Sequence, residues 1–525
     1  MMETRRKLPI GIQSFEELRT GGYLYVDKTA YIYQLATEGK PYFLSRPRRF
    51  GKSLLLSTIK AYFQGKKELF EGLAIAELEK EWMEYPVFHL DMNTAGTSVD
   101  MDTFRNVLET NLQKLEQQWG KNTFESTPAS RLVGLIERAH QQTGRKVVVL
   151  IDEYDKPLLD SLDNPLLHDS IHKDLGGFYA VLKTADPHLQ FVLLTGITKF
   201  SQVNVFSKLN QLIDISIRAP YTGICGITEA ELLANFQPEL HALAENNHQT
   251  YDQAVAEMKK RYDGYHFARK SADIYNPFSV LNVLKSGEYD NYWFQTGTPT
   301  ALIRQLETGR YSVPKIENGI YASADELYNY RIESDNLIPF LYQSGYLTIK
   351  SFEADINLYV LGIPNEEVKY GFYKELLAVY VPTYKESDFA SGLFVRDLRN
   401  GDVDGFMNRL KALFASIPYS VSQERRDEYY YQSICFALFS LMGEVAQMEV
   451  QNAQGRADLV VTLPHTVYVF EFKMMGSGTA EEALAQINDK GYAIPYSAGG
   501  RRVVKVGAEF SEKERTVGRW MVEED

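Results

Sequence analysis

Cysteine is almost absent from this chain: Cys225 and Cys435 are the only two, far apart and each set in apolar sequence. That excludes a disulfide framework or a thiolate metal cluster. It fits buried thiols in a reducing compartment, so a cytoplasmic location is expected. Long apolar runs are missing as well. No stretch approaches the roughly 20 residues of a membrane span, and no membrane partner is expected. The opening Met1-Met-Glu-Thr-Arg-Arg-Lys7 carries charge but no apolar core or cleavage site, so it does not read as a secretory signal. Nor is there an excess of positive charge: Lys and Arg total 56 against 69 Asp and Glu, a net charge of −13. An acidic protein repels a polyanion. Any nucleic-acid contact must therefore run through a local basic patch, or through bound cations that reverse the local sign. Low-complexity segments and fixed-period repeats are also lacking. What remains is 525 residues of ordinary globular composition, enough for two to four domains with their own cores.

The strongest local signal is Pro41-Tyr-Phe-Leu-Ser-Arg-Pro-Arg-Arg-Phe-Gly-Lys-Ser-Leu-Leu-Leu56. It reads as a buried strand, a tight polar loop ending in Gly51-Lys52-Ser53, and an amphipathic helix closed by Gly65. This is the layout of a phosphate-binding loop. Backbone N–H groups at a helix start face an anion, a lysine reaches the outer phosphates, and a hydroxyl helps hold Mg²⁺. The full pattern asks for a glycine five residues before Gly51, where this chain has Arg46. Taken alone, Gly51-Lys52-Ser53 is equally an ordinary helix start. The run Val147-Val-Val-Leu-Ile-Asp-Glu-Tyr154 favours the phosphate loop. A short unbroken apolar run tipped with acids is how a strand buried on both faces of a parallel sheet reads. Asp152 at its carboxyl end would hold Mg²⁺ through water, and Glu153 would polarise the attacking water of hydrolysis. A third strand, Leu189 to Thr195, leads to Thr195, Thr198 and Lys199, polar groups placed to sense a terminal phosphate.

Up to about residue 225 apolar runs alternate with helical patterns, which predicts a parallel α/β sheet. The strands are expected at Tyr42 to Ser45, Pro86 to Asp91, Lys146 to Asp152, Leu189 to Thr195 and Gln211 to Ile217. From Thr228 the pattern is helical until Arg261-Tyr-Asp-Gly-Tyr-His-Phe267 and Tyr275-Asn-Pro-Phe-Ser279 break it. Aromatic residues beside Gly and Asn-Pro mark turns packed onto a neighbour, with contact to an adenine as the alternative. Between Asn336 and Val381 the order is helix, strand, turn, strand, helix, with a hairpin at Tyr346 to Ser351 and Leu358 to Ile363 and Asn365 as the next helix cap. That unit is compatible with a winged helix, and nothing basic in it favours DNA contact.

A second chemical centre lies in Gly455-Arg-Ala-Asp-Leu-Val-Val-Thr-Leu463 and Thr466-Val-Tyr-Val-Phe-Glu-Phe-Lys473, two strands joined at Pro464-His465. Side chains alternate along a strand, so Val467, Val469, Glu471 and Lys473 share one side and Tyr468, Phe470 and Phe472 the other. A carboxylate and an amine at the end of an apolar strand are costly unless paired, and Asp458 is the natural partner. Asp458 and Glu471 make an oxygen-only site suited to Mg²⁺ or Mn²⁺, while Lys473 orients or deprotonates the attacking water. A plain edge-strand ion pair is the alternative, and the flanking strands are too apolar for a solvated face. A helix expected over Glu424 to Met442 offers Glu428, with Glu444 and Glu449 as competitors. A later helix, Glu481 to Lys490, carries Gln486, which could touch the scissile phosphate or the bound water.

With both centres in view, the chain resembles the bacterial family of AAA-ATPase-like proteins that carry a C-terminal PD-(D/E)XK nuclease domain. The resemblance rests on Tyr25-Val-Asp-Lys28, Leu44 to Ser53, Leu150-Ile-Asp-Glu-Tyr-Asp155, Thr195 to Ser201 and Tyr262-Asp-Gly-Tyr265. At the other end it rests on Gly455 to Asp458, Phe470 to Lys473 and Ala483 to Tyr492. Arg46 in place of the loop glycine is how the family looks. Two departures stand out: Lys490 occupies the place where related nucleases often have tyrosine, with Tyr492 two residues on, and Ala457 replaces the proline of the family name.

The fold class expected is α/β: a P-loop NTPase parallel sheet over 1–225, a helical and winged-helix-like middle region over 226–385, and a PD-(D/E)XK nuclease-like α/β domain over 386–525. The resemblance implies ATP and Mg²⁺ as cofactors and DNA as a partner. It places ATP contacts at Arg46, Arg48, Arg49, Phe50, Gly51, Lys52, Ser53, Asp152 and Thr195, with Ser53 and Asp152 on the metal. Glu153 is the expected ATPase base, and Asp458, Glu471, Lys473, Gln486 and Glu428 are the expected nuclease residues. Roles in mobile elements or defence are implied, and self-association is open. The competing expectation is a nucleotide-dependent switch or scaffold whose nuclease-like domain binds nucleic acid or protein without cutting.

Overall fold

The computed structural model describes residues 6–39, 41–93, 99–199, 212–294, 319–328, 336–381, 383, 390–417, 428–451, 455–474, 476–497, 500–511, 514 and 516–524. They fall into two compact units, Met1–Arg304 with Gly319–Lys369, and Tyr370–Asp525.

The first unit is organised by a parallel sheet of β1 (Tyr42–Ser45), β2 (Val87–Asp91), β3 (Val147–Asp152), β4 (Leu189–Gly196) and β5 (Ile213–Asp214) in the order β2-β3-β4-β1-β5. The first four lie where the apolar runs place them. β5 is shorter than expected, and Gln211 lies outside the described residues. Every residue of β3 is buried, the burial that its unbroken apolar sequence requires. β4 stands between β1 and β3, so Thr195 comes between the loop that follows β1 and the acid that ends β3.

Beyond a small antiparallel pair, β6 (Ile227–Thr228) with β7 (Ile274–Tyr275), four helices enclose a second core of Leu232, Phe236, Leu240, Met258, Tyr262, Val280 and Val283. They are Glu229–Asn235, Gln237–Asn246, Tyr251–Tyr262 and Pro277–Ser286. Asn276 caps the last by accepting from the Phe278 and Ser279 amides at 2.9 and 3.3 Å, with Pro277 in the first turn where its missing N–H costs nothing. The aromatic turns pack onto their neighbours: Tyr275 belongs to this core, and Tyr265 meets Phe50 edge-on at 4.8 Å. The expected hairpin is β9 (Thr348–Glu353) with β10 (Leu358–Gly362), and the short β8 (Ile320–Ala322) adds a third strand against β10. Asn365 caps the helix Glu366–Tyr380 through the Val368 amide at 3.0 Å.

Asp263, in the first aromatic turn, is buried, and its Oδ1 has no hydrogen-bond partner. Burial pushes its carboxyl up to about 6. A carboxyl held neutral in the folded state loses stability to the ionised unfolded chain as pH rises between its two pKa values. The Asp263→Asn protein is therefore expected to gain on the wild type between about pH 4 and pH 6, by up to about 3 kcal/mol, and to hold that margin above pH 6. Denaturant unfolding across pH 3–8 checks this, and parallel curves would contradict it.

The second unit carries a mixed sheet in the order β11-β12-β13-β14-β15: β11 (Ala446–Gln451), β12 (Arg456–Thr462), β13 (Thr466–Lys473), β14 (Arg502–Ser511) and β15 (Thr516–Glu524). β13 pairs antiparallel with β12 and parallel with β14. Its alternation sorts as the sequence implies. Phe470 lies 5.2 Å from Phe406 of the helix Val403–Ala415, and Phe472 lies 5.9 Å from Phe439 of the helix Glu428–Ser440. On the other face Val467 and Val469 pack with Leu484 and Ile487 of the helix Ala480–Asp489. That helix is drawn close by Gly507, the β14 partner of Glu471. A Cβ there would come within 2.4 Å of the Leu484 amide and 2.5 Å of the Ala480 carbonyl. Gly507→Ala is accordingly expected to lift the helix and cost about 1–3 kcal/mol, read by denaturant unfolding. Among the described residues no helix is long and apolar enough to cross a membrane.

Candidate functional site

The loop between β1 and the helix Lys52–Phe63 is held by its carbonyls. Lys52 Nζ donates to the carbonyls of Arg46 and Pro47 at 2.9 and 3.0 Å, and the Gly226 amide donates to that of Phe50 at 3.1 Å. Arg49 and Gly51 have left-handed backbone, φ 65° and 92°. Such reversals within a short loop turn successive N–H groups toward one concavity, the geometry that receives an anion. Arg46 does something other than the phosphate contact expected of it. Its guanidinium donates to the carbonyls of Ser45, Ser216 and Tyr221 at 2.8, 2.8 and 3.2 Å and stacks over Phe267 at 4.1 Å. Those three bonds and the ring contact hold the buried guanidinium, although its Nε has no hydrogen-bond partner, and Arg46 anchors the base of the loop where the usual pattern has glycine.

Three acids gather around Lys52. Burial pushes its ammonium down, and the charges of Asp152, Glu153 and Asp155 oppose that shift. Asp152 accepts from Thr195 Oγ1 at 2.7 Å and from the Glu153 amide at 3.0 Å. Glu153 has left-handed backbone, φ 51°, and its buried Oε2 has no hydrogen-bond partner. Burial pushes that carboxyl up, against the pull of Lys52. Asp155 is not among the expected site residues, although its place two residues beyond Glu153 is the signal for it. It accepts from the Ile197 and Thr198 amides at 3.0 and 2.6 Å and from Thr198 Oγ1 at 2.7 Å, tying the β3 turn to the end of β4. Lys199 pairs with Asp214 at 2.8 Å. Beside the loop lies an apolar pocket, lined among others by Tyr25, Phe50, Leu54, Ile227, Pro277 and Leu281. At its wall Lys28 donates to both Glu231 oxygens at 2.6 Å.

In the second unit the β12–β13 ladder runs from Thr462↔Val467 to Leu459↔Phe470. Beyond it Asp458 Oδ2 takes the Phe472 amide at 2.8 Å, a side chain replacing the next backbone bond. That sets Asp458 beside Glu471 at the strand ends. Gln486, from the helix above, donates to Glu471 Oε1 and accepts from Lys473 Nζ, and the Tyr492 hydroxyl is 3.2 Å from its amide. Lys473 Nζ is 3.8 Å from Glu471 Oε1. Glu471 Oε2 is buried with no hydrogen-bond partner. Burial, and after it the Asp458 charge, pushes the Glu471 carboxyl up to about 8, with Lys473 opposing.

One family model, described as "Predicted AAA-ATPase", matches residues 9–206, and another, the PD-(D/E)XK nuclease superfamily, matches residues 426–520. A protein of Azotobacter chroococcum mcd 1, described as an uncharacterized protein in the vnfD 5′ region, is 37% identical over 526 residues, 99% of each chain. The chain belongs to the AAA-ATPase-like family with a C-terminal PD-(D/E)XK nuclease domain. A solved structure of the Aeropyrum pernix ORC2 protein, in ADPNP–ADP complexes, covers 71% of this chain and 97% of its own. At 10% identity and a TM-score of 0.24 that overlap carries no argument.

Both groups of candidate residues are assembled within their own units. The structure brings Lys52, Asp152, Glu153 and Thr195 together in one, and Asp458, Glu471, Lys473 and Gln486 in the other. Ser53 sits half-buried in the first turn of the loop helix, and Arg49 is exposed, its guanidinium 5.2 Å from the Phe278 ring. Glu428 opens the helix Glu428–Ser440, but its side chain, like those of Glu444 and Glu449, lies outside the described ones, as do Phe200 and Ser201. Tyr492, two residues beyond position 490, has its hydroxyl within hydrogen-bond distance of the Gln486 amide.

Proposed function

We propose that this AAA-ATPase-like protein is an ATP-regulated, Mg²⁺-dependent DNA endonuclease. The observation that carries the reading is Glu471 Oε2, a buried oxygen without a partner beside a second carboxylate and a lysine. A buried acceptor left unmatched is costly, and a cation relieves the cost. Mg²⁺ is commonly held by one or two carboxylates while keeping several waters, which suits the donor set of Asp458 and Glu471. When bound it would supply charge for the developing phosphodiester anion and a more acidic water. Gln486 orients Glu471 and Lys473 together, and Lys473 would position or deprotonate the attacking water.

ATP would lie with its phosphates on the loop amides and Lys52, its base in the apolar cavity beside Phe50, and Arg48 and Arg49 near the phosphates. Ser53 and Asp152 would hold the accompanying Mg²⁺, and the unpartnered Glu153 carboxyl would accept the proton of the hydrolytic water. A place in defence or mobile-element biology belongs to the same proposal. The test is incubation of the full chain with supercoiled and linear DNA, with and without ATP and Mg²⁺. Cutting that needs Mg²⁺ and responds to ATP supports the proposal; DNA retained without cutting in every condition contradicts it.

A further inference from the structure

Trp293 lies beyond the helix Pro277–Ser286 and is buried, and its indole Nε1–H donates to the Arg48 carbonyl at 3.2 Å. The contact spans 245 residues of sequence. Trp293 is itself fixed. Its backbone N–H donates to Glu367 Oε1 at 2.8 Å, and its ring lies 5.3 Å from that of Tyr346. Glu367 is only 1% exposed, and its other oxygen accepts from Ser279 Oγ at 2.7 Å. A buried carboxyl therefore holds a tryptophan, and the tryptophan holds one peptide of the loop.

The direction of that hold matters. In a trans peptide the C=O and the following N–H point opposite ways. Gripping the Arg48 carbonyl turns the Arg49 N–H away from Trp293, and the left-handed backbone at Arg49 and Gly51 continues the turn that gathers N–H groups toward one hollow. Lys52 makes similar bonds to the Arg46 and Pro47 carbonyls, but a lysine that moves to a phosphate gives those bonds up. Trp293 has no charge to offer the nucleotide and can keep its bond.

We propose that Trp293, held by Glu367, is a positioning residue that presets the Arg49 amide for the phosphates of the nucleotide. This rests on the nucleotide reading of the loop. Trp293→Phe keeps an aromatic ring and removes only the donor. Titration of the full chain with a fluorescent ATP analogue, ADP and inorganic pyrophosphate is expected to show about 5- to 10-fold weaker binding, the worth of one neutral hydrogen bond. The factor is expected to be the same for all three probes, because the Arg49 amide faces phosphates and not the base. The unfolding midpoint of the nucleotide-free protein is expected to stay near that of the wild type. Glu367→Gln still accepts from the Trp293 amide and can donate to Ser279 Oγ, so it is expected to bind as the wild type does; Glu367→Leu is expected to bind as weakly as Trp293→Phe. Wild-type affinity in Trp293→Phe overturns the proposal and leaves the nucleotide site standing, as does a lowered unfolding midpoint with no change in affinity. A wild-type protein that binds none of the probes overturns both.

Discussion

Alanine at Asp458, Glu471 or Lys473 is expected to lower Mg²⁺-dependent DNA cleavage by on the order of 10³-fold or more, with ATP binding unchanged. The two carboxylates are the oxygen donors of the proposed cation site, and Lys473 is the cation fixed to it through Gln486. Gln486→Ala is expected to be milder, about 10–100-fold, because Gln486 orients the ligands without being one. The gradation separates a metal site from a structural cluster, in which loss of Gln486 and loss of Glu471 would have similar effects. Single-turnover nicking of supercoiled plasmid at saturating Mg²⁺ measures it. Wild-type cutting by Lys473→Ala or Asp458→Ala would remove these residues from the mechanism.

Lys52→Ala is expected to weaken ATP binding by at least about 10²-fold. Removing the ammonium takes from the site the buried positive charge that Asp152, Glu153 and Asp155 surround, and like charges at close range in a poorly solvated site repel strongly. Glu153→Gln is expected to divide the two functions of the site: binding persists while hydrolysis falls by about 10²–10⁴-fold, as when a general base is removed. Calorimetric titration and phosphate-release assays read the two quantities. An unchanged hydrolysis rate counts against Glu153 as the base. Lys52→Ala alone does not distinguish an ATPase from a nucleotide-gated scaffold, since both need the lysine.

The parts of this architecture legible in the sequence are those whose signal is local. β3 is recognisable because a strand covered on both faces is apolar throughout, and its acid tip then marks the edge where chemistry sits. β13 is recognisable because its alternation divides aromatic residues from the face that carries Glu471 and Lys473. What the sequence hides depends on long-range geometry. Arg46 looks like a phosphate ligand from its position in the loop, yet the carbonyls that claim it come from residues 216 and 221, on a segment that sequence spacing cannot bring near. The hold of Trp293 on Arg48, and of Glu367 on Trp293, is invisible for the same reason. Gly507 gives no signal until the helix that needs its missing Cβ lies against it. β14 and β15 match no motif, so only the assembled sheet marks their place beside β13.

The most direct test is a crystal of the full chain soaked in Mn²⁺ and measured at a wavelength where manganese scatters anomalously. A peak is expected about 2.1 Å from Glu471 Oε2 and within the same coordination shell as the Asp458 carboxylate. Manganese bound elsewhere in the same crystal, with no peak between those two side chains, would contradict it.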